Sequence, residues 1–222
     1  MTTNPVQNVR WLLDQLEDPF TMFPVEGVSD TLFESADEAE MQKHERMGPW
    51  GVARKFWSSE EEYYHEKAGL LIGAMFVLGQ AAITQTVSIL NELRKHPQAQ
   101  SVIPDSKAKK LETHAAVEAR TNLTTIVIVN AVSNYFKHYY EWPKQWTAAT
   151  TKGSQAETID IVLKLGMAPG EMPDNLRLAA DCLGLCRSNP RALATSIQEW
   201  REGWARVLYP SFGLLDPNRE VE

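Results

Sequence analysis

Residues 58–95 read SSEEEYYHEKAGLLIGAMFVLGQAAITQTVSILNELRK, and the fold class follows from them. Ser58 or Ser59 can cap a helix, and the three glutamates that come next suit the positive end of a helix dipole. Pro97 stands shortly after the stretch, and proline cannot continue a helix. The pattern therefore predicts one long helix that runs to about Lys95.

The middle of this predicted helix is strongly apolar. Residues 68–83 read AGLLIGAMFVLGQAAI, about 16 positions, whereas a helix that crosses a bilayer needs roughly 20. The stretch contains Gln80, and further polar residues follow it. Gly69 and Gly73 are four positions apart, and small residues at this spacing let neighbouring helices approach closely. We therefore predict a fully buried core helix of a soluble bundle, without a membrane partner.

Further helical patterns fill the C-terminal part of the chain. Residues 107–140 form a second long pattern that is closed by Pro143. Its β-branched run at 126–129 could be taken for a strand, but the Ala, Glu and Lys content around it favours a helix. Three shorter helices are predicted at 155–165, 174–187 and 190–208. The predicted fold class is all-α, a helical bundle with additional C-terminal helices.

The N-terminal part has a different pattern. Asn4-Pro5 is a typical helix start, with Asn4 as the cap. An apolar stripe at helical spacing follows, formed by Val6, Val9, Leu12, Leu13 and Leu16. Proline and glycine then interrupt residues 19–57, where we predict an acidic, extended arm with one short helix near 35–46.

Charge also divides the chain, whose net charge is -7. Residues 1–57 carry ten acids and five bases, whereas residues 58–222 carry nineteen acids and seventeen bases. We therefore predict an acidic N-terminal helix and arm over 1–57, which could bind a protein partner, and a helical bundle domain over 58–222. The lack of a basic surplus argues against broad, non-specific binding to duplex nucleic acid, although a local basic groove stays compatible with it.

Cysteine and tryptophan positions give weaker indications. Cys182 and Cys186 are four apart on a predicted helix, which would place both thiols on one face. Reduced core thiols are the expectation, with redox sensing or metal binding as alternatives. Trp200 and Trp204 have the same spacing and are predicted to pack in the core or in a dimer seam. Residues 1–10 contain neither a basic nor an apolar signal region, so we predict a cytoplasmic protein.

One segment carries candidate chemistry: residues 130–146, NAVSNYFKHYYEWPKQW. On a helix, four polar side chains of this segment form one stripe: Asn134, Lys137, His138 and Glu141. Aromatic residues surround the stripe and would lower the local dielectric constant, which strengthens polar pairing. His138 is the natural general acid or base, because imidazole exchanges protons near neutral pH. Alternatively, the stripe only satisfies buried groups and caps the helix end.

Within the segment, the sequence N-Y-F-K-H at 134–138, followed by Glu141-Trp142, resembles the N-Y-x-K-H…E-W signature of bacterial proteins related to the HEPN superfamily. The resemblance covers this short segment and, more generally, the long-helix layout of 58–142. It implies a bundle built around two long antiparallel helices, often a homodimer. It also implies binding or metal-independent cleavage of RNA, in a toxin–antitoxin or phage-defence context, with Asn134, Lys137, His138 and Glu141 as candidate catalytic residues.

This chain departs from the family pattern at one position. In the family an arginine precedes the catalytic histidine, and here it would stand at Ala131, Val132 or Ser133. The nearest upstream arginine is Arg120, which is too far away along the chain. Asn134 and Lys137 could supply hydrogen bonds and charge to a phosphate, but an ammonium group lacks the planar, bidentate geometry of a guanidinium. An alternative function is a non-enzymatic, homodimeric interaction protein.

Other polar groups are assigned structural roles. Glu62 and His65 have the spacing of a di-iron motif, but the second copy is absent, so we expect a solvated helix start there. Completing a metal site would need the coincidental help of Glu112, His114 and Glu118. We expect no metal and no cofactor. The run Lys107-Lys109-Lys110 is expected to enter a helix or to lie in solvent, and alternatively to steer an RNA backbone.

Overall fold

The computed structural model describes residues 5–18, 22–46, 59–142, 144–147, 152–170 and 172–216. These residues form α1 (Pro5–Glu17), α2 (Phe23–Arg46), α3 (Ser59–Leu93), α4 (Pro97–Gln100), α5 (Lys107–Glu112), α6 (Thr125–His138), α7 (Ser154–Lys164), α8 (Met172–Cys182) and α9 (Ala192–Ser211). An antiparallel hairpin, β1 (Val117–Glu118) with β2 (Leu123–Thr124), precedes α6, and a 3-10 turn (Tyr139–Glu141) follows it. The mostly helical chain confirms the all-α class.

Helix α3 is the centre of the fold, and α1, α2, α6, α8 and α9 pack against it. Its bounds confirm the predicted long helix, although Ser58 lies outside the described residues. By length and composition, 62–93 is the one stretch of the described chain that could cross a membrane, but 56% of its most apolar window is buried in the protein. This is consistent with a soluble protein. The prediction of full burial for 68–83 was wrong, since Leu70 is half exposed and Ala81 is exposed.

The two glycines of α3 lie where neighbouring helices come closest, which confirms their predicted role. A Cβ atom on Gly69 would lie 2.7 Å from the backbone Cα of Pro173 in α8. A Cβ atom on Gly73 would lie 2.7 Å from Cγ of Phe136 in α6 and would overlap the ring. Real Cβ atoms do not approach other atoms this closely, so helix spacing in this bundle depends on both glycines.

We expect Gly73→Ala to destabilise the protein. Overpacking costs about 1–3 kcal/mol, which outweighs the roughly 1 kcal/mol that alanine gains in helix propensity. In a Phe136→Ala background the clash is absent, so the same substitution should become stabilising. Gly27→Ala in α2 is the control, because a Cβ there meets nothing within 4 Å. Urea unfolding of the wild type, the two single variants and the double variant measures the four free energies of unfolding. Equal effects of Gly73→Ala with and without Phe136 would contradict the prediction.

The second predicted long helix, 107–140, was wrong, and the arrangement of two long antiparallel helices is not confirmed. Helix α5 ends at Glu112, and Thr113 is extended. His114 and Asn122 then have positive φ angles of 63° and 58°, which a helix cannot contain. Helix α6 starts anew, because the Thr124 side chain accepts the Val127 N–H at 3.3 Å as an N-cap. The β-branched run at 126–129 does lie in this helix, as predicted.

A glutamate organises the turn between β1 and β2. Glu118 accepts hydrogen bonds from Arg120 Nε at 2.9 Å and from the backbone N–H and hydroxyl of Thr121, both at 2.8 Å. The hydrogen bond from Arg120 is the largest cause that lowers the pKa of Glu118, from an ordinary 4.5 to about 2. The turn is therefore stabilised by the ionised carboxylate.

Glu118→Gln should lower the stability of the protein near neutral pH. Because the folded-state pKa is depressed, the stabilisation is complete above the ordinary pKa of 4.5 and disappears as the pH falls towards about 2. The difference in unfolding free energy between wild type and variant should shrink over this window. Urea unfolding at a series of pH values measures it, with the exposed Glu112→Gln as control. A difference that does not change with pH would refute the role of the charge.

Residues 23–46 are helical, so the prediction of an extended arm was wrong for this range. Pro24 lies in the first turn of α2, where its missing N–H breaks no helical hydrogen bond. The helix packs along α3 and buries Val25, Ala36 and Ala39. The predicted short helix at 35–46 is its second half.

The acids of α2 face arginines of the C-terminal part. Asp30 pairs with Arg191 at 2.9 Å, Asp37 with Arg187 at 3.9 Å, and Glu40 with Arg177 at 3.8 Å. The acidic surplus of the N-terminal part is thus partly matched within the protein. The predicted division at residue 57 lies among residues 47–58, outside the described residues.

Helix α1 buries most of the apolar stripe that was predicted for it. Val9, Leu12, Leu13 and Leu16 are buried, whereas Val6 is exposed. The proposed cap Asn4 lies outside the described residues. The helix packs on α9, where Tyr209 donates a hydrogen bond to Asp14 at 2.9 Å.

The three C-terminal helices occur near their predicted positions, with one exception that affects the cysteines. Helix α8 ends at Cys182, because Gly184 has a positive φ of 67°. Cys186 is exposed in the following loop, so the two thiols do not share a helix face as predicted. In α9, Trp200 and Trp204 are fully buried, which confirms their predicted place in the core.

Candidate functional site

The predicted polar stripe lies at the end of α6 and in the 3-10 turn, and its four side chains have two different environments. His138 and Glu141 pair with each other: Nδ1 of the imidazole is 3.0 Å from Oε2 of the carboxylate. Asn134 and Lys137 instead contact Gln80 on α3. The spacing brings His138 and Glu141 together, whereas Asn134 and Lys137 form a second cluster with Gln80.

The imidazole of His138 is accessible. Its side chain is 50% exposed, and that of Glu141 is 72% exposed. Both line an open cavity of about 380 Å³, whose lining residues are Asn134, His138, Glu141, Trp142, Gln155 and Thr158. A carboxylate at Nδ1 favours the tautomer that carries its proton there, which leaves Nε2 as the proton-accepting nitrogen. This arrangement can move a proton to or from a molecule in the cavity.

The aromatic residues around the stripe form a packed layer beneath it. Tyr135 is fully buried and contacts Trp142 and Trp146, with ring centroids 5.1 and 6.2 Å apart. Burial raises the pKa of Tyr135 to about 12, and its hydroxyl accepts a hydrogen bond from Asn175 at 2.9 Å. Tyr135 is therefore a neutral structural group. The layer packs against the end of α6, which carries His138.

The contacts of Gln80 with polar side chains of α6 were not predicted. Its Nε2 donates to Asn134 Oδ1 at 2.8 Å and lies 3.2 Å from Asn130 Oδ1. Its Oε1 accepts from Ser133 Oγ at 3.0 Å and from Lys137 Nζ. The available signal was a single amide in the apolar stretch of α3, because a buried polar group has to find hydrogen-bond partners.

The three lysines of α5 have three different environments. Lys107 extends towards α6, where its Nζ donates to Asn130 Oδ1 at 3.1 Å. Lys109 is exposed, as expected. Lys110 is buried and donates to the backbone carbonyl of Asp105 at 2.8 Å. The three lysines thus enter a helix, as the first expectation had it, and Lys110 does not lie in solvent.

The three positions at which the HEPN resemblance would place an arginine lie in the interior. Ala131, Val132 and Ser133 are all buried against the core, and Ser133 donates to Gln80. Arg120 lies in the hairpin, where it pairs with Glu118. The nearest cation along the chain is Lys137, whose ammonium group donates to Gln80.

A larger cavity, of about 480 Å³, lies between α3 and α8 and includes Glu62 and His65. Its size alone does not make it the better candidate, because its imidazole is buried whereas that of His138 is half exposed. His65 is buried, contrary to the expected solvated position, with Nε2 3.3 Å from Asp174 and Nδ1 3.8 Å from Glu40. Within the described ranges, no group of three or more His, Cys, Asp or Glu side chains could hold a metal ion.

The chain matches no protein-family model, no curated protein and no solved structure. What the site can do follows from its own side chains. The His138–Glu141 pair supplies an acid or base, and the cavity supplies amide and hydroxyl groups from Asn134, Gln155 and Thr158. These groups suit a polar molecule that forms hydrogen bonds. Lys137 is bonded to Gln80 and does not line the cavity.

Proposed function

We propose that this protein binds RNA in the cavity beside α6 and cleaves it without a metal ion, as a HEPN-like protein. The observation that carries the proposal is the half-exposed imidazole of His138, held at 3.0 Å by Glu141 at an open, polar cavity. RNA suits this site, because its 2′-hydroxyl supplies an internal nucleophile from which His138 can take the proton. The resemblance of residues 134–142 to the HEPN-related signature agrees with it.

The proposed reaction is a transesterification. Nε2 of His138 accepts the proton of the 2′-hydroxyl, and the 2′-oxygen forms a bond to the adjacent phosphorus. The bond from phosphorus to the 5′-oxygen breaks, and this oxygen takes a proton from the solvent. The products are a 2′,3′-cyclic phosphate and a 5′-hydroxyl end. Glu141 stabilises the imidazolium that forms, and the Asn134 amide at the cavity can donate a hydrogen bond to the phosphate.

The test is the degradation of single-stranded RNA by the purified protein in EDTA, compared with His138→Ala. Loss of cleavage in the variant, with 2′,3′-cyclic ends in the wild type, supports the proposal. Equal degradation by both proteins rejects the catalytic version. If the protein binds RNA but does not cleave it, the proposal is reduced to RNA binding. If it neither binds nor cleaves RNA, the alternative of a non-enzymatic interaction protein is favoured. Size-exclusion chromatography of the same samples tests the proposed homodimer.

A further inference from the structure

Two lysines from different helices donate hydrogen bonds to the two members of one amide pair, Asn130 and Gln80. Lys107 at the start of α5 donates to Asn130 Oδ1 at 3.1 Å, and Lys137 near the end of α6 donates to Gln80 Oε1. The two amides are themselves joined, since Gln80 Nε2 lies 3.2 Å from Asn130 Oδ1. Lys107 and Lys137 are both exposed, whereas Gln80 beneath them is buried.

In the described part of the chain, neither ammonium group forms an ion pair with a carboxylate. Lys95 and Lys164, by contrast, pair with Glu92 at 2.6 Å and with Asp160 at 2.8 Å. Burial and then the charge of Lys137 lower the pKa of Lys107. The two positive charges are therefore near enough to affect each other, in a protein of net charge -7. Their repulsion is a cost that a bound anion would remove.

We propose that Lys107 and Lys137 together bind one phosphate group above the Asn130–Gln80 amide pair. Each ammonium group has three N–H donors and uses one on an amide oxygen, which leaves two for the oxygens of a phosphate. The amides hold the two side chains in place before binding, so less conformational entropy is lost when the anion arrives. Lysine is a common phosphate ligand in proteins.

The site adjoins the cavity of His138. Asn134 lines that cavity and also accepts the hydrogen bond from Gln80, so the two sites share a boundary. A polynucleotide whose phosphate lies on the lysine pair could therefore extend into the cavity. The polynucleotide version of this inference rests on the proposed function, whereas phosphate binding by the two lysines requires neither His138 nor cleavage. Free phosphate, or the phosphate of a small molecule, has the same chemistry.

The test measures thermal unfolding of the full chain with increasing inorganic phosphate, against sodium chloride at equal ionic strength. Phosphate should raise the melting temperature of the wild type, and Lys107→Met or Lys137→Met should weaken phosphate binding about tenfold. Lys109→Met, on the same short helix but exposed, should bind like the wild type. His138→Ala should also bind phosphate normally, which separates this site from the proposed catalysis.

Two further measurements complete the test. Without phosphate, Lys107→Met should melt no lower than the wild type, because the substitution removes a like-charge contact; if it melts lower, Lys107→Gln replaces it in the comparison. A short DNA oligonucleotide that displaces phosphate would identify polynucleotides as the source, and its failure to do so would identify small phosphorylated molecules. Equal stabilisation of the wild type and both lysine variants, or stabilisation by chloride alone, would overturn the proposal.

Discussion

His138→Ala should slow metal-free RNA cleavage by about 10²–10⁴-fold, the usual contribution of a general acid or base. The same substitution should change the unfolding free energy by no more than about 0.5 kcal/mol, because the imidazole is half exposed and its partner Glu141 is largely exposed. A large loss of rate with little loss of stability distinguishes a catalytic side chain from one that only caps the helix.

Two variants make this comparison sharper. Glu141→Gln keeps a hydrogen-bond acceptor beside His138 but removes the negative charge, so its rate should fall less than that of His138→Ala. Tyr140→Ala is the matched control, because Tyr140 lies in the same 3-10 turn, is exposed, and does not line the cavity of His138. Single-turnover rates in EDTA measure all three. A rate for His138→Ala equal to that of Tyr140→Ala would rule out the proposed role of the imidazole.

The elements that could be predicted from the sequence are those whose ends are set locally. Helix α3 is bounded by serine and glutamate at one end and by Pro97 beyond the other, and all of these signals lie within the helix or next to it. The break between α5 and α6 has no such signal. It depends on the left-handed backbone of His114 and Asn122, and on Thr124, which also donates to the distant Leu111 carbonyl at 3.0 Å.

Helix α2 was missed for a related reason. Its apolar side chains do not form a clear stripe, and proline and glycine at its start look like interruptions. What stabilises it is tertiary: packing along α3, and ion pairs such as that between Asp30 and Arg191, which are 161 positions apart. Local propensity is a weak guide where packing supplies most of the stability of a helix.

The candidate site shows the same limit. Helical spacing alone placed His138 and Glu141 within reach of each other, because both lie in one continuous segment. The lysine pair could not be predicted in this way. It depends on Gln80, which is 57 positions before Lys137, and on Lys107 from a helix that was expected to continue into α6.

Trp200→Ala should be the most destabilising of the proposed substitutions, by about 3–5 kcal/mol, as for other large aromatic side chains removed from a core. Trp200 is 0% exposed. Its indole N–H also donates to the carbonyls of Lys110 and Thr113, at 3.2 and 3.0 Å, where α5 ends. The substitution therefore opens a cavity and leaves two backbone carbonyls without this donor. For a chain of this size the melting temperature should fall by roughly 2–4 °C for each kcal/mol.

The N–H group can be separated from the volume of the ring. Trp200→Phe keeps much of the buried area but removes the donor, so its cost should be smaller, about 1–3 kcal/mol. Trp11→Ala, at an exposed tryptophan of α1, should have little effect. Because α5 carries Lys107, loosening its end should also weaken phosphate binding in both Trp200 variants. Urea unfolding gives the stabilities, and a loss below about 1 kcal/mol for Trp200→Ala would mean that α9 does not anchor α5.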